Sequence, residues 1–251
     1  MRNFAVLIFL LTILIGCANE SAVKLQAGAS KADIIFTRGK EYFDSGKWRK
    51  AIDVLSEYVY SYPYHDDIAG GTFMLAESYF KSEQFDLAAG EYRRIAQRFE
   101  DSEFAERAEI MIGESFLAAS PRTDLEQRKT ETALEYFRDF ITYHPTSEFI
   151  DQAEDGINRC REKLAKKEFD TAKIYFKLKQ PESVVLYADL IAEEYNGTSF
   201  VPEAMLLKGR AYSEMLELVD SAVKVFEEII RDYPNTETAE EAAELLHKIG
   251  E

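Results

Sequence analysis

Residues 39–63 read GKEYFDSGKWRKAIDVLSEYVYSYP, and this stretch contains the pattern that decides the fold. Counted from a small residue, it has an aromatic at three, an alanine at twelve, a leucine at sixteen and a proline at twenty-four: Gly39, Tyr42, Ala51, Leu55 and Pro63. Small side chains let two helices approach closely. A proline ends the second helix because it lacks an N–H and disfavours helix in the preceding residue. The stretch therefore predicts a helical hairpin.

The pattern recurs along the chain at a fixed interval. The small residue returns 37 residues after Gly39 as Ala76 and again as Gly113, and the same interval separates Ala172 from Gly209. Such a period indicates stacked helical hairpins and is close to the tetratricopeptide repeat, whose period is about 34 residues. A single hairpin cannot bury its own apolar face, so neighbouring hairpins share a core. We predict an all-α fold: a tetratricopeptide-repeat superhelix of about five helix pairs plus a C-terminal capping helix.

The repeat register also predicts where each helix lies. The run from Ser147 to Lys179 contains no proline, so two helices are expected to fuse or abut there. The other predicted helices cover residues 31–45, 47–61, 67–81, 84–98, 103–118, 127–143, 181–195, 200–216, 219–232 and 237–248.

The first twenty residues have the layout of a leader segment. Arg2 precedes an apolar run, Phe4 to Ile15, that suits a signal peptide and is shorter than the roughly twenty residues that span a membrane. Leu14-Ile15-Gly16-Cys17 then resembles the lipobox of bacterial lipoproteins. In those proteins the leader is cut before the cysteine, whose thiol receives a diacylglycerol and whose new amino group is acylated. The alternative is an ordinary signal peptide, or a buried helix, with an incidental cysteine.

The lipobox resemblance divides the N-terminal part of the chain. Residues 1–16 are the expected signal peptide, and residues 17–30 the lipidated N-terminus with a small, polar tether. Two or more acyl chains hold a protein stably at a bilayer, and no other cofactor is expected. Ala18 follows the cysteine where an Asp would resemble an inner-membrane retention signal. We therefore expect a protein that is lipid-anchored in the outer membrane and faces the periplasm.

Charge and residue inventory exclude several function classes. The net charge is −16, whereas nucleic-acid-binding proteins usually present a basic face. Cys17 and Cys160 are the two cysteines, too few for a disulfide framework or a Cys-rich zinc site, and Cys160 is expected to be a packed thiol. The three histidines are far apart, and no Gly-rich phosphate loop or familiar nucleophile motif occurs. We predict no enzyme, no metal site, no nucleic-acid partner and no small-molecule substrate.

The order and spacing of these features, from about Ser30 to Pro234, resemble the BamD family of outer-membrane lipoproteins. Tyr62-Pro63-Tyr64 lies before the Ala-rich second repeat. Residues 143–149, Tyr-His-Pro-Thr-Ser-Glu-Phe, are similar to the family's Tyr-x-Pro-x-Ser-x-Tyr segment. Glu100 and Asn196 stand where the family has proline.

The family resemblance implies a scaffold rather than a catalyst. It implies a subunit of the β-barrel assembly machinery, whose partners are a BamA-like barrel protein, other assembly lipoproteins and unfolded outer-membrane proteins. Contact with the barrel protein is expected in the C-terminal repeats 4–5 and cap, residues 146–251, and contact with unfolded chains in repeats 1–3, residues 31–145. The alternative is a cell-envelope repeat lipoprotein that coordinates peptidoglycan and outer membrane.

Two sets of residues are candidate binding surfaces. In such repeats the first helix of each pair lines the inner surface, which predicts a peptide groove for an aromatic-ended extended chain at Phe36, Lys40, Phe43, Phe73, Glu77, Phe80 and Lys81. The alternative is that these phenylalanines pack between repeats. In repeat 5 the predicted partner contacts are Lys208, Arg210 and Glu214, together with Glu217, Glu227, Glu228 and Arg231. The alternative there is a solvated charged face.

Overall fold

The computed structural model describes residues 29–250, and this part of the chain forms eleven α-helices. They are α1 (Lys31–Asp44), α2 (Trp48–Ser61), α3 (Ile68–Lys81), α4 (Phe85–Arg98), α5 (Ala105–Ala118), α6 (Arg128–Tyr143), α7 (Ile150–Lys177), α8 (Pro181–Glu194), α9 (Phe200–Glu214), α10 (Val219–Asp232) and α11 (Glu237–Gly250). Each predicted helix is present with bounds close to those expected, and the all-α prediction is confirmed. The predicted signal peptide and Cys17 lie outside the described residues.

The helices stack as hairpins, each packing mainly on its neighbours along the chain. The odd-numbered helices also contact one another, as α1 with α3, α5 with α7, α7 with α9, and α9 with α11. Between residues 29 and 250 the even-numbered helices have no comparable contacts among themselves. The array therefore curves toward the odd-numbered helices, which form the inner layer of the superhelix.

Helix α7 joins the two halves of the array. The run that was expected to hold two fused or abutting helices is one continuous helix of 28 residues. Its Cys160 and Leu164 belong to the core shared with α5 and α6, whereas Phe169 belongs to the core shared with α8, α9 and α10. The predicted boundary between residues 145 and 146 falls in the turn just before α7. No helix in residues 29–250, α7 included, is both long and apolar enough to cross a bilayer.

Small residues set the close helix contacts, as the repeat pattern predicted. Phe137 of α6 is fully buried between Gly113 of α5 and Gly156 of α7. A Cβ built on Gly113 would lie 2.7 Å from the ring, and one on Gly156 would lie 2.6 Å from it. These distances are too short for any side chain, so the two glycines allow three helices to meet around one aromatic ring.

The second helix of each pair ends at an aromatic residue. The C-cap positions of the even-numbered helices share a non-helical ψ between 30° and 57°, and they are Tyr62, Phe99, His144, Tyr195 and Tyr233. All five rings pack against core residues; His144 lies tilted against the buried Phe140 ring, with centroids 4.9 Å apart. The ring is therefore the shared stop signal, which explains why α4 and α8 end in register although Glu100 and Asn196 replace the expected prolines.

Candidate partner-binding surfaces

Two residues of the predicted peptide groove lie inside the protein. Phe73 is 7% exposed and packs against Phe104 and Tyr92, with ring centroids 5.1 Å and 5.7 Å away. Glu77 is 8% exposed, and its Oε1 accepts the Tyr92 hydroxyl at 2.6 Å. Burial, together with the Glu77 charge, raises the pKa of Tyr92 above its usual range, which keeps the hydroxyl protonated as a donor. Phe73 and Glu77 are therefore core residues, packed between repeats 2 and 3.

The other three phenylalanines are half-buried but do not converge. Phe36 lies against Tyr58, with centroids 5.1 Å apart, near the end of α2. Phe43 and Phe80 lie at the opposite end of their helices, close to the turns inside repeats 1 and 2. The structure therefore places Phe36 at one end of the inner layer and Phe43 and Phe80 at the other, with Phe73 buried in the core.

Phe43 and Phe80 belong to a second arrangement that the sequence reasoning missed. Phe43 packs edge-on against Trp48 at 5.5 Å, and Phe80 packs edge-on against Phe85 at 5.3 Å. All four rings are half-buried, and both members of each pair recur after 37 residues. We call these four residues the aromatic ledge. Lys40 and Lys81 are exposed on the same two helices, and Lys40 pairs with Asp44 at 3.5 Å. The repeat interval applied to Trp48 could have identified the ledge.

The structure separates the predicted partner contacts of α9. Lys208 points toward α8, where its Nζ lies 2.5 Å from Asp189. Arg210 points toward α7, with its guanidinium 5.1 Å from the Phe176 ring, and it also pairs with Glu214 at 2.8 Å. The two basic residues therefore belong to different surfaces.

Arg210 lines a cleft of about 420 Å³ between α7, α9 and α11. We call it the C-terminal cleft; its walls are both apolar and charged and comprise Phe169, Lys173, Glu203, Leu206, Leu207, Arg210, Glu237, Thr238 and Glu241.

Of the remaining predicted contacts, Glu217 lies in the turn before α10, and Glu227 and Glu228 are exposed on α10. Arg231, on the same helix, pairs with its neighbour Asp232 at 2.7 Å.

Exposed aliphatic side chains on α7 and α8 were also missed. Ile174 and Leu178 lie four residues apart at the end of α7, and Leu186 and Leu190 have the same spacing on α8. Leu186 is 67% exposed, although it is a large apolar residue in the middle of α8. Tyr175 and Tyr187 stack between the two helices at 5.4 Å. The i, i+4 spacing of aliphatic residues on both helices was the available signal for this surface.

The reactive residue types have structural partners. Cys160 is fully buried, and burial raises the pKa of its thiol to about 12, so the prediction of a packed thiol is confirmed. His65 bridges the Tyr58 hydroxyl at 2.8 Å and the Asp33 carboxylate at 3.0 Å. His144 contacts Glu109 at 2.8 Å. Within residues 29–250, no group of three or more His, Cys, Asp or Glu side chains could hold a metal ion.

Most of the described chain is similar in sequence to known proteins. The sequence profile of the family described as YfiO, outer membrane lipoprotein, matches residues 29–220. Two curated relatives are named outer membrane protein assembly factor BamD. The protein from Caulobacter vibrioides is 23% identical over 78% of this chain, and the match spans 65% of its own length. The protein from Rickettsia prowazekii is 22% identical over 80% of each chain.

Solved structures of repeat proteins are similar at low identity. The TPR2AB domain of yeast Sti1, solved in complex with pHSP90, is 12% identical with a TM-score of 0.41, covering 88% of this chain and 98% of its own. The family profile, in contrast, extends from the residues before α1 to the first turn of α10. The chain therefore belongs to the YfiO family of outer membrane lipoproteins, as the resemblance to the BamD family predicted.

Proposed function

We propose that this protein is an outer-membrane-anchored scaffold subunit of the β-barrel assembly machinery, which binds a BamA-like barrel protein and nascent outer-membrane proteins. The observation that carries the proposal is the family match over residues 29–220, which includes nine complete helices of the superhelix. Both curated relatives bear the name of an outer-membrane protein assembly factor. A stacked-hairpin array suits this role because it offers long surfaces to several partners at once.

Acyl chains on Cys17 are the proposed link to the membrane. The chain has a net charge of −16, so attraction to anionic lipids does not favour binding of the folded part to a bilayer. Two or more acyl chains would hold it there without a membrane-binding face. The superhelix would then remain available for protein partners in the periplasm.

The aromatic ledge is the proposed contact for unfolded chains. Its rings (Phe43, Trp48, Phe80 and Phe85) are partly exposed and form two equivalent sites in consecutive repeats. Aromatic side chains bind apolar segments with a small loss of conformational entropy because they have only two rotatable side-chain bonds. An extended apolar segment could contact both sites together.

The C-terminal cleft is the proposed contact for the barrel protein. Arg210 has an aromatic neighbour and a carboxylate partner, and its guanidinium borders an open cleft. Arginine in such a setting is a frequent anchor in protein interfaces. Lys208, held by Asp189 on the other side of α9, is outside this contact.

A pull-down from detergent-solubilised outer membrane tests the proposal. The tagged wild-type chain should retain a barrel protein of the BamA type. The Arg210→Glu variant should lose most of it, because a reversed charge would face the partner. Lys224→Glu makes the same change in charge on the exposed face of α10 and serves as the control.

The outcome also decides between the two functions that the sequence left open. Recovery of cell-wall enzymes or Tol–Pal components without a barrel protein would favour an envelope lipoprotein of the other kind. Equal recovery of the barrel protein with Arg210→Glu and with wild type would exclude the C-terminal cleft as the contact.

A further inference from the structure

A second cleft, of about 620 Å³, lies between the α5–α6 turn, the middle of α7 and the first residue of α9. We call it the basic cleft, because its lining includes four cations and one aromatic ring: Arg122, Asn158, Arg159, Lys163, Lys166 and Phe200. Four positive side chains around one cleft are unexpected in a chain of net charge −16. The cleft shares no residue with the aromatic ledge or the C-terminal cleft.

One wall of the basic cleft is a rigid turn. Residues 119–127 are longer than the three-residue turns inside repeats 1 and 2, and Gln127 organises them. Its side-chain amide is buried and donates to the carbonyl oxygens of Arg122 at 2.7 Å and Leu125 at 3.0 Å. The Thr130 hydroxyl donates to the side-chain amide oxygen, Oε1, of Gln127 at 2.8 Å. These bonds hold the backbone of Arg122 beside α7.

Three of the four cations already have carboxylate partners. The pairs are Arg122–Asp124, Arg159–Asp155, Arg159–Glu114 and Lys166–Asp170. Lys163 differs, since its ammonium donates to the carbonyl and the hydroxyl of Ser120. No carboxylate of residues 29–250 forms an ion pair with it within 4.0 Å. Burial lowers the pKa of Lys163, because the ammonium loses water without gaining an anion.

We propose that the basic cleft binds an extended segment of a partner protein that carries a single acidic residue, with its Asp or Glu carboxylate at Lys163 and an adjacent apolar side chain against Phe200. A carboxylate would supply the anion that Lys163 lacks, in a partly desolvated position where a charge-assisted hydrogen bond is strong. The Phe200 ring and the aliphatic stems of the lysines would cover the neighbouring apolar group.

The charges around the cleft favour a single carboxylate over a polyanion. Glu162 lines the same cleft and is held in place by the backbone N–H and the hydroxyl of Ser199, both at 2.8 Å. Its negative charge would repel a phosphate group or a run of acidic residues. Sites that capture a chain end usually present several converging donors, whereas this cleft has one ammonium without a carboxylate partner, which suits a side chain.

The test is fluorescence anisotropy with the full-length purified chain in detergent at low salt. The probe is a fluorescein-labelled peptide amide, Gly-Ser-Phe-Asp-Phe-Ser-Gly. Lys163→Gln should weaken binding about tenfold, which corresponds to roughly 1.4 kcal/mol. Asn in place of the probe's Asp should weaken it to a similar extent. Lys167→Gln removes the same charge from α7 outside the cleft and should change the affinity by less than about twofold.

Several results would overturn the proposal. The first is that the probe does not bind, and the second is that Lys163→Gln and Lys167→Gln have equal effects on the affinity. The third is equal affinity for the Asp and Asn probes. The fourth is that inorganic phosphate at millimolar concentration displaces the probe. Equal affinity for an Asn probe with a free carboxyl end would assign the cleft to chain ends instead. If Lys163→Gln fails to fold, Lys163→Arg, which keeps the charge, must retain binding while the Asn probe still binds weakly. The assay needs no barrel protein, so its outcome is independent of the proposed assembly function.

Discussion

Replacing Gly156 by alanine should destabilise this protein, although the same change inside a helix usually stabilises it. Alanine is favoured over glycine in a helix interior by about 1 kcal/mol. At Gly156, however, the new Cβ would lie 2.6 Å from two atoms of the Phe137 ring and 2.8 Å from a third. The ring is fully buried, and Gly113 already packs closely against its other side, so it has no space to move.

The expected size of the effect follows from these two opposing terms. Overpacking a well-filled core costs about 1–3 kcal/mol. Three ring contacts below 3 Å place Gly156→Ala at the upper end of that range, and subtracting the helix preference leaves a net loss of about 2 kcal/mol. Gly90→Ala is the matched control, because Gly90 lies within α4, is exposed, and has no neighbouring atom within 4 Å of the added Cβ. It should stabilise the protein by about 0.5–1 kcal/mol.

Urea unfolding followed by circular dichroism measures both variants. The midpoint should fall for Gly156→Ala and rise for Gly90→Ala with unchanged slopes. In a Phe137→Leu background the penalty of Gly156→Ala should shrink by about 1 kcal/mol or more, since the clashing ring is gone. A Gly156→Ala protein at least as stable as wild type, alongside a stabilised Gly90→Ala, would refute the close approach of α6 and α7.

Further substitutions test the buried hydrogen bond between Tyr92 and Glu77 and the lipid anchor at Cys17. Tyr92→Phe removes the hydroxyl that donates to the buried Glu77 carboxylate and should cost about 2 kcal/mol in urea unfolding, because a buried acceptor loses its partner. Tyr60→Phe removes a hydroxyl from Glu91, which keeps Arg94 as a partner, so a loss as large as that of Tyr92→Phe would contradict the reasoning. Cys17→Ser should abolish incorporation of labelled palmitate into the chain, because serine cannot form the thioether to diacylglycerol. A Cys17→Ser variant that is labelled as strongly as the wild-type chain would disprove lipidation at Cys17.

The fold could be predicted from the sequence because the repeat interval records contacts between helices. Gly39 and Gly113 recur where a second helix approaches, and a large apolar side chain packs against each glycine, Leu55 in the first repeat and Phe137 in the third. The helix stops were predicted from proline, which is present in only some repeats. The more general signal is the aromatic C-cap, such as Phe99, whose ring enters the core while its backbone leaves the helix.

The candidate surfaces were predicted less completely, for a geometric reason. Counting along a helix identifies its inner face but not which inner residues a neighbouring repeat covers, and Phe73 is covered by Phe104 of the next repeat. That Lys208 and Arg210 lie on different surfaces could have been predicted from the sequence. Residues two apart on an α-helix point about 200° apart, so they cannot share a surface. The basic cleft was not predictable in this way, since its cations come from separate elements that only the fold brings together.

Departures from the repeat provide a physical criterion for function in an array of this kind. Recurrence every 37 residues can arise from packing alone, as at Gly39 and Gly113, so it does not by itself identify a binding residue. Arg122 breaks the recurrence, because the interval that leads from Trp48 to Phe85 leads next to Arg122. An aromatic ring is replaced there by a cation, in the one turn inside a hairpin that is lengthened to nine residues among those described. Packing does not require either change, since repeats 1 and 2 close the same turn with three residues. The buried Gln127 holds the longer turn in place, and this turn carries Arg122 to the edge of the basic cleft.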